Sequence, residues 1–153
     1  MLKISVDKKS YAPGETIAAS ITLVLEKPVK ARGIFAQLYC NEQKIEDSFT
    51  IIDDAEKRRI EDLGLHVHST VKEVKSEVDE ELFLQEKQVG NQTEYASGTF
   101  ACAFTLPQDA PPTSYEFGAD KKIHIWHLCA KLDVPFAPDM NDEIEILVSG
   151  LDV

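Results

Sequence analysis

The chain has 153 residues, 43% of them hydrophobic, which is the span of one domain with enough apolar mass for a core without disulfide or metal staples. Its 16 Lys and Arg stand against 27 Asp and Glu, a formal net charge of −11 at pH 7. That field repels phosphate backbones and anionic lipid, and excludes nucleic acid as a partner class.

Leu2, Ile4 and Val6 alternate with Lys3 and Ser5 and predict a short first strand. Asp7 to Gly14 follows as a turn, for which Pro13-Gly14 is suited because proline presets φ and glycine accepts φ > 0. Ile17, Ala19, Ile21, Leu23 and Leu25 then form an odd-numbered apolar face, broken at Lys27-Pro28. The next strand switches parity. Ile34, Ala36, Leu38 and Cys40 face inward, with Phe35 and Tyr39 on the opposite, outer face.

The middle of the chain is less regular. Ser48 to Ile52 fits a strand, and Asp53 to Leu63, rich in charge of both signs, fits a helical turn or a loop alike. Leu65 to Val74 alternates imperfectly, Ser76 to Glu81 is acidic, and Leu82-Phe83-Leu84 begins another strand or its approach.

Order returns at Gly98. Phe100, Cys102, Phe104 and Leu106 recur every second residue, with small or polar residues between them, and Pro107 ends the run because it has no N–H for a ladder. The Pro-rich stretch to Pro112 therefore reads as a stiff crossing between sheets. Trp126, Leu128, Ala130, Leu132 and Val134 share one face of a further strand, and Pro135 and Pro138 are expected to bracket another crossing. Ile144, Ile146 and Val148 form the last strand. Eight or nine short strands with Gly and Pro breaks, and no long helix, predict an all-β chain: a single antiparallel immunoglobulin-like sandwich over residues 1–153. Its core is expected to hold Ile21, Leu23, Leu38, Phe100, Phe104, Leu106, Trp126, Leu128 and Leu132.

In this order the segments resemble the arrestin-like family. They are a first strand, the turn YAPGE (Tyr11 to Glu15), ITLVLEKPVKARGIFAQLYCNE, LFLQEKQV, GTFACAFTLPQDAPPTSYE, IHIWHLCAKLDVP, then Asp142 and the exit strand EIEILV. The set runs from residue 2 to residue 148 and is similar to the N-terminal half of an arrestin, to retromer arrestin-like subunits and to bacterial sporulation-control proteins. The resemblance implies a β-sandwich and a non-enzymatic adaptor or scaffold in trafficking or regulation. Family members carry two sandwiches in tandem. Phosphate sensing in visual and β-arrestins uses basic residues around the first strand; here Lys3, Lys8 and Lys9 stand in an acidic chain, and that function is not carried over.

Chemistry is thinly represented. His66 and His68 would share a strand face, a spacing seen in zinc sites, yet no third ligand can be placed, so no metal and no cofactor are expected. His124 and His127 differ by three and would point to opposite faces; all four histidines read most simply as solvent-facing strand residues. Cys129 and His127 share a face, but nothing around them marks a lowered thiol pKa or an oxyanion hole. Asp79, Glu80 and Glu81 form a solvated run rather than a cleft, and no glycine-rich phosphate loop is present. No catalytic residue is assigned, and the chain is not expected to be an enzyme.

Cys40, Cys102 and Cys129 are odd in number and widely spaced, which suits a reduced, cytoplasmic setting. The N-terminus shows no signal-peptide h-region, no apolar run approaches the ~18 residues that span a bilayer, and stable membrane insertion is not expected. The leading function is a protein-binding module whose partner surface includes Phe35 and Tyr39, with a homodimer or a stable hetero-complex as the expected assembly. A carbohydrate- or metal-binding sandwich is the alternative. It would need exposed aromatic residues, and the one Trp sits at a core parity.

Overall fold

The computed structural model describes residues 1–51, 58–59, 62–64, 71–118 and 120–150, with the backbone alone described over 46–51 and 71–76. The described residues form nine strands. These are β1 (Leu2–Val6), β2 (Thr16–Leu23), β3 (Val29–Lys30), β4 (Gly33–Ile51), β5 (Val71–Gly90), β6 (Glu94–Tyr95), β7 (Gly98–Thr105), β8 (Lys122–Asp133) and β9 (Met140–Ile146). Three antiparallel sheets result, in the orders β1-β2-β7, β3-β6 and β5-β4-β8-β9. Among the described residues no helix is long and apolar enough to cross a membrane.

The alternating pattern explains the sandwich. Ile17, Ala19, Ile21 and Leu23 of β2 pair with Phe104, Cys102, Phe100 and Gly98 of β7, and Ile21 and Leu23 pair with Ile4 and Leu2 of β1. In that layer Ala18, Ala101 and Ala103 are exposed on one face, and the larger apolar side chains point to the other. Opposite them lie Ile34, Ala36, Leu38 and Cys40 of β4 and Trp126, Leu128, Ala130 and Leu132 of β8, buried in the other layer. Eight of the nine expected core residues are fully buried; Phe100 keeps the expected face but is half-buried, edge-on to Tyr95 with ring centroids 6.0 Å apart.

The turn after β1 forms as its residues dictate. The Glu15 N–H donates to the Ala12 carbonyl at 3.1 Å, with Pro13 second and Gly14 third at φ +84, a type II turn. Tyr11, at its start, is buried, and its hydroxyl donates to Asp7 Oδ1 at 2.5 Å. Burial, then the Asp7 carboxylate, pushes the Tyr11 phenol up to about 12. The Tyr11 backbone bridges in parallel to Val148, so the first turn is joined to the segment that follows β9. The Pro-rich crossing from β7 to β8 is also fixed from the core, because the Trp126 indole N–H donates to the Pro111 carbonyl at 2.9 Å.

Three expectations change. β4 does not stop near Cys40 but continues to Ile51, and β5 begins at Val71 rather than at Leu82. β8 reaches only as far as Lys44, so Glu46–Ile51 and Val71–Ser76 pair with each other as a two-stranded ribbon. Cross-strand pairing holds acidic residues in a strand that their weak β-propensity would not predict. Pro135 and Pro138 do not bracket a crossing: β8 and β9 are neighbours in one sheet, and Val134–Asp139 is a hairpin loop closed by the Val134 N–H on Asp139 Oδ1 at 2.9 Å.

Tyr95 carries a consequence for stability. Its ring is fully buried and its hydroxyl has no hydrogen-bond partner among the described residues. A Cβ on Gly90 would come within 2.9 Å of that hydroxyl, which is why a glycine ends β5. An unpartnered buried hydroxyl forfeits its hydration. Tyr95→Phe is therefore expected to stabilise the chain by about 1 kcal/mol, read as a higher urea midpoint at constant m; an unchanged or lower midpoint contradicts it.

Candidate functional site

The outer face of the four-stranded sheet, opposite the core, is where Phe35 and Tyr39 emerge. Strand register decides what surrounds them. Phe35 pairs with Lys131, Gln37 with Cys129 and Tyr39 with His127 across β4 and β8. Gln37 also pairs with Glu86 of β5, and Cys129 with Glu143 of β9. One row of four residues, Glu86, Gln37, Cys129 and Glu143, thus crosses the whole sheet on the outer face.

These side chains are tied together. Gln37 Nε2 donates to Glu86 at 2.5 Å, and the Cys129 thiol lies 3.6 Å from Gln37 Oε1. The Tyr39 hydroxyl donates to Glu143, whose carboxylate also lies 3.3 Å from His127 Nδ1. The Tyr39 and His127 rings stack, 4.9 Å between centroids and 19° between planes. Beside them is a recess of about 440 Å³ lined by Phe35, Cys129, Lys131, Asp133 and Asn141 among others. Phe35 and Tyr39 are both half-buried. Glu86, Asp133, Asp142 and Glu143 line the recess against one lysine, Lys131, which makes its rim acidic.

The recess does not have the makings of a nucleophilic site. Burial, then Glu143, raises the Cys129 thiol, and burial raises Tyr39 as well, with Glu143 adding to it. Cys40 is pushed up to about 12 by burial and then by Glu42, and Cys102 is raised by burial. All three cysteines are held as thiols, the unreactive form.

His124 corrects the expectation of solvent-facing histidines. It is 8% exposed, its Nε2 sits 2.8 Å from Oε2 of Glu42, itself 5% exposed, and Lys122 Nζ lies 3.9 Å from the same oxygen. His127 is on the other face, as the spacing of three requires. Sequence reasoning missed the pair although parity carried it: His124 lies two before Trp126, and Glu42 two after Cys40. His66 and His68 lie outside the described residues. Among the described residues no three His, Cys, Asp or Glu side chains are placed to hold a metal. Trp126 is fully buried and offers no platform for stacking a sugar.

Comparison with known proteins gives two findings. The family model described as arrestin (or S-antigen), C-terminal domain, matches residues 1–146. That is the other half of an arrestin from the one to which the sequence order was likened. Among solved structures, the sporulation control protein Spo0M of Bacillus subtilis is similar with a TM-score of 0.58 and 18% identity, covering 97% of this chain and 48% of that one. The likeness is one of fold, and the chain spans about half the length of that relative. No curated protein matches.

Proposed function

This chain belongs to the arrestin family, and from that premise we propose that it is a non-enzymatic adaptor that binds a protein partner through the outer face carrying Phe35 and Tyr39. The observation behind this reading is the preorganisation of Tyr39. Stacked on His127 and bonded to Glu143 beside an open recess, it has already lost the rotamer freedom that binding would otherwise cost. Aromatic anchors next to a recess are the usual centre of a binding surface. The role sits with trafficking or regulation in a cytoplasmic setting, as the reduced cysteines suggest.

The same face suits packing against a second sandwich, from a second copy or from a partner chain. The homodimer form is expected to give a mass near twice 17.1 kDa in light scattering over a concentration series, falling toward the monomer in the Phe35→Ala, Tyr39→Ala double variant. A mass of 17.1 kDa at high concentration and moderate salt removes the homodimer. The adaptor reading is then tested by affinity recovery from the native cell extract. A partner recovered equally well by the double variant overturns the assignment of this face.

A further inference from the structure

A second surface has different chemistry. β5 is an edge strand, hydrogen-bonded to β4 on one side. The edges of the opposing layer are each blocked by a side chain: Asp142 Oδ2 accepts the Ile4 N–H at 2.9 Å on β1, and Lys87 Nζ donates to the Ala103 carbonyl on β7. Among the described residues no group outside β4 hydrogen-bonds the β5 backbone between Glu77 and Glu86. An unpaired row of N–H and C=O groups is a template for another strand.

A cavity opens beside that edge. Cys40 pairs with Phe83 and Asn41 with Glu81, so Leu82 is an extra, bulged residue. A bulge re-aims a side chain, and Leu82, 45% exposed, forms a wall of a cavity of about 460 Å³ with Phe83 and Pro107. Its polar end holds Glu42, Asp109, Asp120 and Lys122. Lys122 lies against Glu42, while Asp109 has no cation at ion-pair distance among the described residues. Along the edge itself stand Glu77, Asp79, Glu80 and Glu81, of which Glu80 has Lys44 at 3.7 Å.

We propose that the free edge of β5 and this cavity form a second docking site, which takes an extended partner segment carrying Arg or Lys at alternate positions. The segment adds a strand to β5 by main-chain hydrogen bonds, and one basic side chain enters the cavity, as strand addition with side-chain pockets requires. Its stem lies along Leu82, Phe83 and Pro107, and its charged head reaches Asp109 and Asp120. Charge selects this occupant over a second copy, because β5 laid on β5 would set carboxylates against carboxylates. The site does not depend on the Phe35 face; with both in use, the chain bridges two proteins.

The full chain can be tested with a fluorescein-labelled eight-residue peptide alternating Arg and Val, its Glu-Val counterpart, and an Arg-Val version N-methylated along one edge. Anisotropy is expected to show saturable binding of the first. The other two are expected to be weaker by about ten-fold or more, having lost charge complementarity and main-chain pairing respectively. Amide exchange is expected to slow in Glu77–Glu86 when the Arg-Val peptide is added. Asp109→Asn with Asp120→Asn is expected to weaken that peptide roughly five-fold and leave thermal unfolding unchanged. Absence of saturable binding, equal binding of the N-methylated peptide, or exchange slowed on β9 instead of β5 overturns the proposal.

Discussion

Truncating Phe104 to Ala is expected to cost about 3–5 kcal/mol of folding stability. The ring is fully buried, paired across the sheet with Ile17, and covered on its outer side by Lys87 Nζ, 5.1 Å from its centroid. Removing it takes away the transfer free energy of an aromatic side chain and leaves a cavity between two layers. Each layer is locked by its own ladder, so neither can collapse into the space. A domain of this size holds about 5–15 kcal/mol in all, so the loss is a large share of its reserve. Phe100, on the same face two pairs along β7 but half-buried, serves as the control: Phe100→Ala is expected to cost clearly less. Urea unfolding at constant m reads both. A loss under about 1 kcal/mol at Phe104, well below the range for a buried aromatic, would mean that β7 is out of register by one.

What the alternation could and could not reveal follows from where burial is one-sided. β1, β2, β7 and β8 each have one face in the core, so period two is written into their residues and most of the core could be read from it. The outer halves of β4 and β5 pair with one another beyond the last residue that β8 reaches, and charged residues such as Glu46, Asp47, Lys72, Glu73, Lys75 and Glu77 interrupt the alternation there. Tyr11 and Tyr95 are core residues in a turn and a two-residue strand, too short to show any period. The surroundings of Phe35 were beyond reach for another reason. Glu86, Cys129 and Glu143 come beside it through pairing across four strands, and nothing local in the chain encodes that register. His124 and Glu42 are the reverse case, since parity placed both inward and polarity alone argued otherwise.

That buried pair is the second place where a large effect is expected. His124→Leu leaves the Glu42 carboxylate inside the sandwich without its 2.8 Å partner, with Lys122 still 3.9 Å away. Removing one side of a buried hydrogen bond to a carboxylate costs about 1.5–3 kcal/mol, because the remaining group keeps its desolvation penalty and loses part of its compensation. The His124 backbone is not expected to move, since its N–H donates to Ser114 Oγ at 3.1 Å and its carbonyl accepts the Ser114 N–H at 2.9 Å, and neither bond uses the imidazole. The double variant Glu42→Leu, His124→Leu removes both polar groups and is expected to recover most of the loss, as apolar replacements of buried pairs commonly do. The prediction is therefore a coupling: the double variant is more stable than His124→Leu alone, and with Glu42→Leu completing the mutant cycle the coupling energy is expected to be about 1 kcal/mol or more. A double variant no more stable than the single one would show that Glu42 finds water at the neighbouring cavity and that the pair does not hold the sandwich together. It would also show that cavity to be wetter than its Leu82 and Phe83 wall implies.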